Sequence, residues 1–217
     1  MTARFGGFSR GVFRWFAGLE RDNSKAYFAA TRERYDADVR GAMVAMLEEL
    51  SGAFGGEVRV FRQHRDVRFS PDKSPYKTRT YGLLQGAPGA GGGLYAELSS
   101  RGLYAGTGYH QLAGEALERF RQAVLDDGAG AALAAEVAAA REAGLEVVGE
   151  SLRTAPRGYP RDHPRIELLR HRALIAGRRL PGTAAIGREA ALDHVAATWR
   201  AAAPLNAWLD EHVGAQR

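Results

Sequence analysis

The sequence predicts an α+β fold, in which an antiparallel sheet of about four to six strands is packed by N- and C-terminal helices in a single domain spanning residues 1–217. Three observations carry this reading. Apolar residues recur at helical spacing up to about residue 50 and again beyond residue 112, and the period shortens towards two between Glu57 and Tyr109. The strand-like stretches also follow one another with no helix between them, which indicates a meander rather than an alternating α/β design. With 217 residues, 45% hydrophobic and 25% charged, the composition is that of a globular chain and excludes a disordered tail.

Taken in order, Ser9 is placed to cap a short helix over Gly11–Glu20, whose Val12, Phe13, Trp15, Phe16 and Leu19 form a broad apolar side. Asp22-Asn23-Ser24 breaks it. A longer helix is expected from about Ser24 to Leu50, with Tyr27, Thr31, Tyr35, Val39, Met43, Met46 and Leu50 at helical spacing as core, and with Gly52, Gly55 and Gly56 ending it. Alternation then marks strands over Glu57–His64, Thr78–Gln85, Leu94–Ser99 and Leu103–Tyr109. Ser99-Ser100-Arg101-Gly102 fits a tight hairpin turn, and the tract Gly86–Gly93 a flexible connection. This tract lacks the Gly-Lys-Ser/Thr that opens a helix in a phosphate loop. Helices follow over Leu112–Leu125 and Ala129–Ala143, separated by Asp126-Asp127-Gly128, then a short strand at Leu145–Val148 and a loop over Arg153–His163. Pro164 suits the first turn of a helix through about His171, Ala173–Leu180 reads as a last strand, and two closing helices, Arg188–Ala202 and Leu205–Val213, are expected around a break at Pro204.

The absence of cysteine excludes disulfides, thiolate nucleophiles and cysteine zinc sites. No apolar run is long enough to cross a bilayer, and the opening Met1-Thr2-Ala3-Arg4-Phe5-Gly6-Gly7 lacks a signal-peptide stretch, so a cytoplasmic location with no membrane partner is expected. The net charge of +5 is concentrated along the chain. Between Arg59 and Arg79, seven cations stand against Asp66 and Asp72, an excess equal to that of the whole protein. A second basic segment, Arg153–Arg172, sets six arginines against Asp162 and Glu167. Converging in space, the two would make a focused positive field.

The run from Phe61 to Thr78 combines charges, two prolines and aromatic residues in a strand-to-loop transition. If the strand continues, period two places Arg62, His64, Asp66 and Arg68 on one side, where Asp66 would orient the guanidinium groups. Pro71 and Pro75 restrict the loop that follows and would hold Lys73, Tyr76 and Lys77 in place.

Arg65-Asp66-Val67-Arg68-Phe69-Ser70, followed by Asp72-Lys73-Ser74-Pro75-Tyr76-Lys77-Thr78, resembles the signature of the uncharacterised family catalogued as domain of unknown function 2461. The resemblance extends from Gly7-Phe8-Ser9 through Asn23–Phe28 to Pro156-Arg157-Gly158-Tyr159, Asp162-His163-Pro164 and Glu167-Leu168-Leu169. Departures are Val67 in place of the usual threonine, Tyr27 where tryptophan is common, and Ala155-Pro156 where two prolines often stand. The resemblance implies a common fold and supplies no mechanism and no cofactor.

Three functional readings follow. In the first, Arg62, Arg65, Arg68, Lys73, Tyr76 and Lys77, joined by Arg157, Tyr159 and His163, line a cleft for a phosphorylated small molecule or a nucleic acid, with Asp66, Asp72 and Asp162 among them. Arginine forks match phosphate oxygens, and a tyrosine ring can stack on a base. In the second, Asp66, Asp72 or Asp162 holds a divalent metal, or His163 acts as general acid or base, in phosphoester hydrolysis. Pro71-Asp72 opens like a nuclease motif, but no acidic-x-lysine follows and the six histidines lack metal-ligand spacing, so no metal site is expected. Asp162-His163-Pro164 equally suits a turn and helix start. In the third, the arginines and aspartates are an ion-pair network that pins the proline loop and serves no ligand.

Overall fold

The computed structural model describes residues 4–90, 92–182 and 185–214; Met1-Thr2-Ala3 of the expected opening and Gly91 of the expected connection lie outside them. Strand β1 (Gly7–Phe8) leads into helix α1 (Arg10–Arg21), which buries Val12, Phe13, Trp15, Phe16 and Leu19. Ser9 occupies the cap position, although its hydroxyl makes no capping bond. Helix α2 (Lys25–Ala30) is capped by Ser24, whose hydroxyl accepts from the Tyr27 amide at 3.1 Å.

The single helix expected to reach Leu50 is interrupted. Thr31 leaves helical geometry because its hydroxyl is engaged twice, donating to the Tyr27 carbonyl and accepting from the Trp15 indole, both at 2.9 Å. A short α3 (Arg32–Arg34), a π-helical segment Tyr35–Gly41 and α4 (Ala42–Phe54) follow. Tyr35, Val39, Met43, Met46 and Leu50 are nevertheless all buried, so the stripe is core despite the change of pitch. Gly52 stays inside α4, and Gly55, at φ 72°, ends it.

Strands β2 (Glu57–Val60), β3 (Arg79–Gln85), β4 (Leu94–Ser99) and β5 (Gly102–Tyr109) form the expected meander. Helices α5 (Gly114–Leu125) and α6 (Asp127–Glu142), strand β6 (Glu146–Val148), helix α7 (Ile166–Leu169), strands β7 (Leu174–Pro181) and β8 (Ile186–Gly187), and helix α8 (Arg188–His212) complete the order. The antiparallel sheet runs β2-β3-β4-β5-β7-β6, and β1 pairs with β8 separately. Two expectations are corrected here. The helix anticipated over 164–171 shrinks to the single turn of α7, and Pro204 lies inside α8 rather than breaking it. Proline forfeits one helical hydrogen bond, but Ala202, Leu205, Trp208 and Leu209 are buried on either side of it, and that packing outweighs the loss.

The chain forms two compact units. The first comprises residues up to Pro88, Tyr95–Ala105 and Arg179–Ala197. In it α4 packs across β2 and β3, where Gly82 lets the Leu47 side chain approach so closely that an added Cβ would lie 2.7 Å from it. Val58, Val60, Thr80, Gly82 and Leu84 share this covered face, and by strand alternation Arg59, Arg79, Tyr81 and Leu83 share the other. The second unit comprises Gly89–Leu94, Gly106–Arg178 and residues from Thr198, and is built on a core that includes Phe120, Val124, Leu133, Leu169, Trp208 and Leu209.

Candidate functional site

The strand expected through His64 is regular only to Val60; beyond it the Gln63 side chain interrupts the ladder, which returns as an isolated bridge between His64 and Tyr76. Backbone bonds still run from Phe61 N to Tyr81 O at 3.0 Å, from Lys77 N to Gln63 O at 2.9 Å and from Arg65 N to Pro75 O at 2.9 Å, so residues 61–77 form an irregular hairpin. Gln63 is buried at its base. Its amide donates to the carbonyls of Lys77 and Arg79, and its oxygen accepts from the Thr80 hydroxyl at 2.7 Å. From outside the hairpin, Asn23 donates to Tyr76 O and accepts from Tyr76 N, both at 3.0 Å, fixing that residue's backbone on two sides. Arg62, His64, Asp66 and Arg68, expected on one side of a continuing strand, are all exposed.

Within the loop the acids are engaged locally. Asp66 accepts from Arg68 through its backbone N at 3.2 Å and its guanidinium at 2.6 Å, which holds the carboxyl below the usual carboxylate range and raises the arginine. Asp72 accepts from the Ser74 hydroxyl at 2.6 Å, the Ser74 amide at 2.9 Å and the Arg65 guanidinium, and these donors, Ser74 foremost, hold it far below that range. Lys73 Nζ donates to Val67 O at 3.0 Å, and Lys77 Nζ to Arg62 O at 2.5 Å. Phe69, at the tip, is 94% exposed.

Beside the hairpin lies a hollow of about 400 Å³ lined by Glu20, Asn23, Arg65, Asp72, Ser74, Tyr76, Lys77, Thr78 and Arg79. Of the residues read from the sequence, Arg65, Asp72, Tyr76 and Lys77 are brought together here, whereas Arg62, Asp66, Arg68 and Lys73 sit around the loop outside the lining. Tyr76 corrects one expectation. Its ring is 6% exposed and stacked on Phe28 at 4.2 Å, so it belongs to the core and does not offer a face to a base. Glu20, Asn23, Ser74, Thr78 and Arg79 join Arg65, Asp72, Tyr76 and Lys77 in the lining without being among the site residues expected from the sequence. Arg79 belongs to the basic run, while Asn23, in the family-like stretch Asn23–Phe28, reaches the site across 53 residues.

The second basic segment belongs to the second unit. Arg157 and Asp162 are exposed there. The Tyr159 hydroxyl donates to Glu118 at 2.9 Å, and burial followed by this carboxylate raises its pKa. His163 Nδ1 accepts from the Arg165 amide at 3.1 Å, a bond that shapes the turn into α7. Arg165 itself ends on the carbonyls of Val124, Leu125 and Asp126, at 2.8, 3.1 and 3.2 Å. Among the described residues no three histidine, aspartate or glutamate side chains are grouped so as to hold a metal ion, and no helix is long and apolar enough to cross a membrane.

Comparison with curated proteins and with solved structures finds no match. A family model does match, over residues 11–208, a span that takes in the proline hairpin, the hollow and the second basic segment. The chain therefore belongs to the family described as conserved hypothetical protein (DUF2461), as its Arg65-to-Thr78 signature implied.

Proposed function

We propose that the protein binds a phosphate-bearing ligand, a nucleotide or a nucleic acid, through the hollow of the first unit. The observation that carries this reading is the convergence of Arg65, Lys77 and Arg79 on one hollow, three cations against the carboxylates of Glu20 and Asp72, with the neutral polar groups of Asn23, Ser74 and Thr78 beside them. Guanidinium forks and an ammonium suit phosphate oxygens. Glu20 and Asp72 in the same lining would repel a bare phosphate but accept from hydroxyls, which favours a phosphate joined to a sugar. In the hairpin two prolines and the Gln63 and Asn23 bonds order these groups in advance, reducing the entropy lost on binding.

The local pairs Arg68–Asp66 and Arg65–Asp72 favour a second reading, a network that only holds the hairpin. Calorimetric titration with ribose 5-phosphate, AMP and ATP separates the two. Ligand binding predicts saturable heat with at least one of these and an affinity lowered about tenfold or more in Arg65→Ala, with an unfolding midpoint close to that of the parent. No heat with any of the three, together with a collapsed midpoint in the variant, would leave the network alone.

A further inference from the structure

The face of the sheet turned away from α4 carries a row of four aromatic rings on successive strands. Phe61 continues β2 and stacks on Tyr81 of β3 at 4.8 Å between centroids, Tyr81 lies 5.7 Å from Tyr95 of β4, and Tyr95 lies 6.2 Å from Tyr104 of β5. Such a row is not required by the core, because the rings stand on the face opposite Val60, Gly82 and Leu84 and are only partly buried. Each end of the row carries cations. The Arg59 guanidinium lies 4.9 Å from the Phe61 centroid, Lys77 Nζ 5.0 Å from that of Tyr81, and the Arg179 guanidinium 5.1 Å from that of Tyr104. In the middle the carboxylate of Glu97 is buried, accepting from Tyr95 OH at 2.8 Å and pairing with Arg79 at 3.5 Å and Arg179 at 3.3 Å, so that both arginines are held over the row.

We infer that this face binds single-stranded nucleic acid, with bases stacked on the rings and phosphates met by Arg59, Lys77 and Arg79. Rings on neighbouring strands lie at the spacing of the strands, and bases could stack on them once the cations now over Phe61 and Tyr81 turn to phosphates, an exchange open to single strands and not to a duplex with its bases already stacked. Cations placed between rings complement a strand that alternates base and phosphate, and the exposed side chains of Arg59 and Arg79 are long enough to turn from ring to phosphate. Lys77 and Arg79 belong both to this row and to the lining of the hollow, so the strand would continue from the sheet into it. The inference rests on the phosphate-binding reading of the hollow and names its ligand class.

Fluorescence anisotropy with labelled 12-nucleotide oligo(U) and oligo(dT), a 12-base-pair duplex and poly-glutamate tests it. Single strands are expected to bind at least tenfold more tightly than the duplex or poly-glutamate. With about three net charges engaged, affinity for the single strands should fall about twentyfold between 50 and 200 mM salt. Tyr81→Leu should weaken binding about tenfold and Tyr81→Phe should retain it. Arg59→Glu, at an exposed position outside the hollow, should both weaken binding and flatten the salt slope, and it carries the test if Tyr81→Leu fails to fold. A preference for oligo(U) over oligo(dT), or the reverse, would assign the strand as RNA or DNA. Equal affinity for the duplex or for poly-glutamate would overturn the inference, as would unchanged single-strand binding in Tyr81→Leu and Arg59→Glu. Those results with ribose 5-phosphate, AMP or ATP still bound, and with Arg65→Ala still weakening it, would remove the sheet face while leaving the hollow; absence of binding of all three by the parent protein would remove the hollow's reading instead.

Discussion

The two basic segments have nearly the same charge and use it differently. In Arg153–Arg172, Arg153, Arg157 and Arg161 are exposed, and the other three arginines are turned inward or paired nearby. Arg165, with its side chain 14% exposed, closes the carbonyl end of α5, Arg170 pairs with Glu167 at 2.7 Å and Arg172 with Glu150 at 3.1 Å. In Arg59–Arg79 the two aspartates are satisfied within the loop, uncharged Gln63 and Asn23 hold the hairpin together, and Arg65, Lys77 and Arg79, each with a partner of its own, line a hollow. The difference is one of partner. A guanidinium that meets unpaired helix carbonyls is consumed as a cap, whereas Arg65 and Arg79 pair with single carboxylates, of Asp72 and Glu97, and still line a hollow. Charge density along a chain therefore does not separate a structural arginine from a binding one.

The largest test of this contrast is Arg165→Met. Losing a charged donor shared by three carbonyls should cost about 3 kcal/mol of stability by denaturant titration, with AMP affinity unchanged; a loss under about 1 kcal/mol would make Arg165 a surface cation like any other. Gln63→Leu should follow at about 2 kcal/mol, since it strands the Thr80 hydroxyl and two carbonyls in a buried place, and because the hairpin then loosens it should also weaken AMP binding. Stability lost with binding intact would show that the hollow does not depend on the hairpin's base.

The smallest effects are in the pH dependence, and they separate the segments by window. Burial lowers the pKa of His171, in the second segment, below 6.5, so its contribution is complete above that value and is lost as pH falls through the folded pKa. Asp72 is depressed below 3.8 by Ser74 and Arg65, so its contribution is complete above 3.8 and is lost only in stronger acid. Histidine and carboxyl resonances followed by NMR should therefore show the second segment responding to acid before the hairpin does. The reverse order would invert the comparison.

Much of the architecture was legible because local periodicity records burial. The meander β2 to β5 matches the alternation of its residues, and the stripe from Tyr35 to Leu50 is core as its spacing implies. What failed were interruptions whose cause lies elsewhere in the chain. Thr31 breaks a helix because Trp15 donates to it, and Pro204 does not break one because the residues around it are buried. The candidate site divides in the same way. Arg65, Asp72, Tyr76 and Lys77 announced themselves by charge and proline content. Asn23, Gln63 and the rings of Tyr81, Tyr95 and Tyr104 did not, since their meaning depends on which strands become neighbours.

By itself the sequence determined an α+β chain with an antiparallel meander, family membership, and the position along the chain of two basic segments, because composition and period are local properties that burial and strand pleating impose directly. Only the tertiary structure decided which of those cations meet carbonyls, which meet carboxylates and which face a hollow or a row of rings. Those outcomes depend on pairings between residues such as Asn23 and Tyr76 or Glu97 and Arg179, which are far apart in sequence and become neighbours only when the sheet and its packing bring them together.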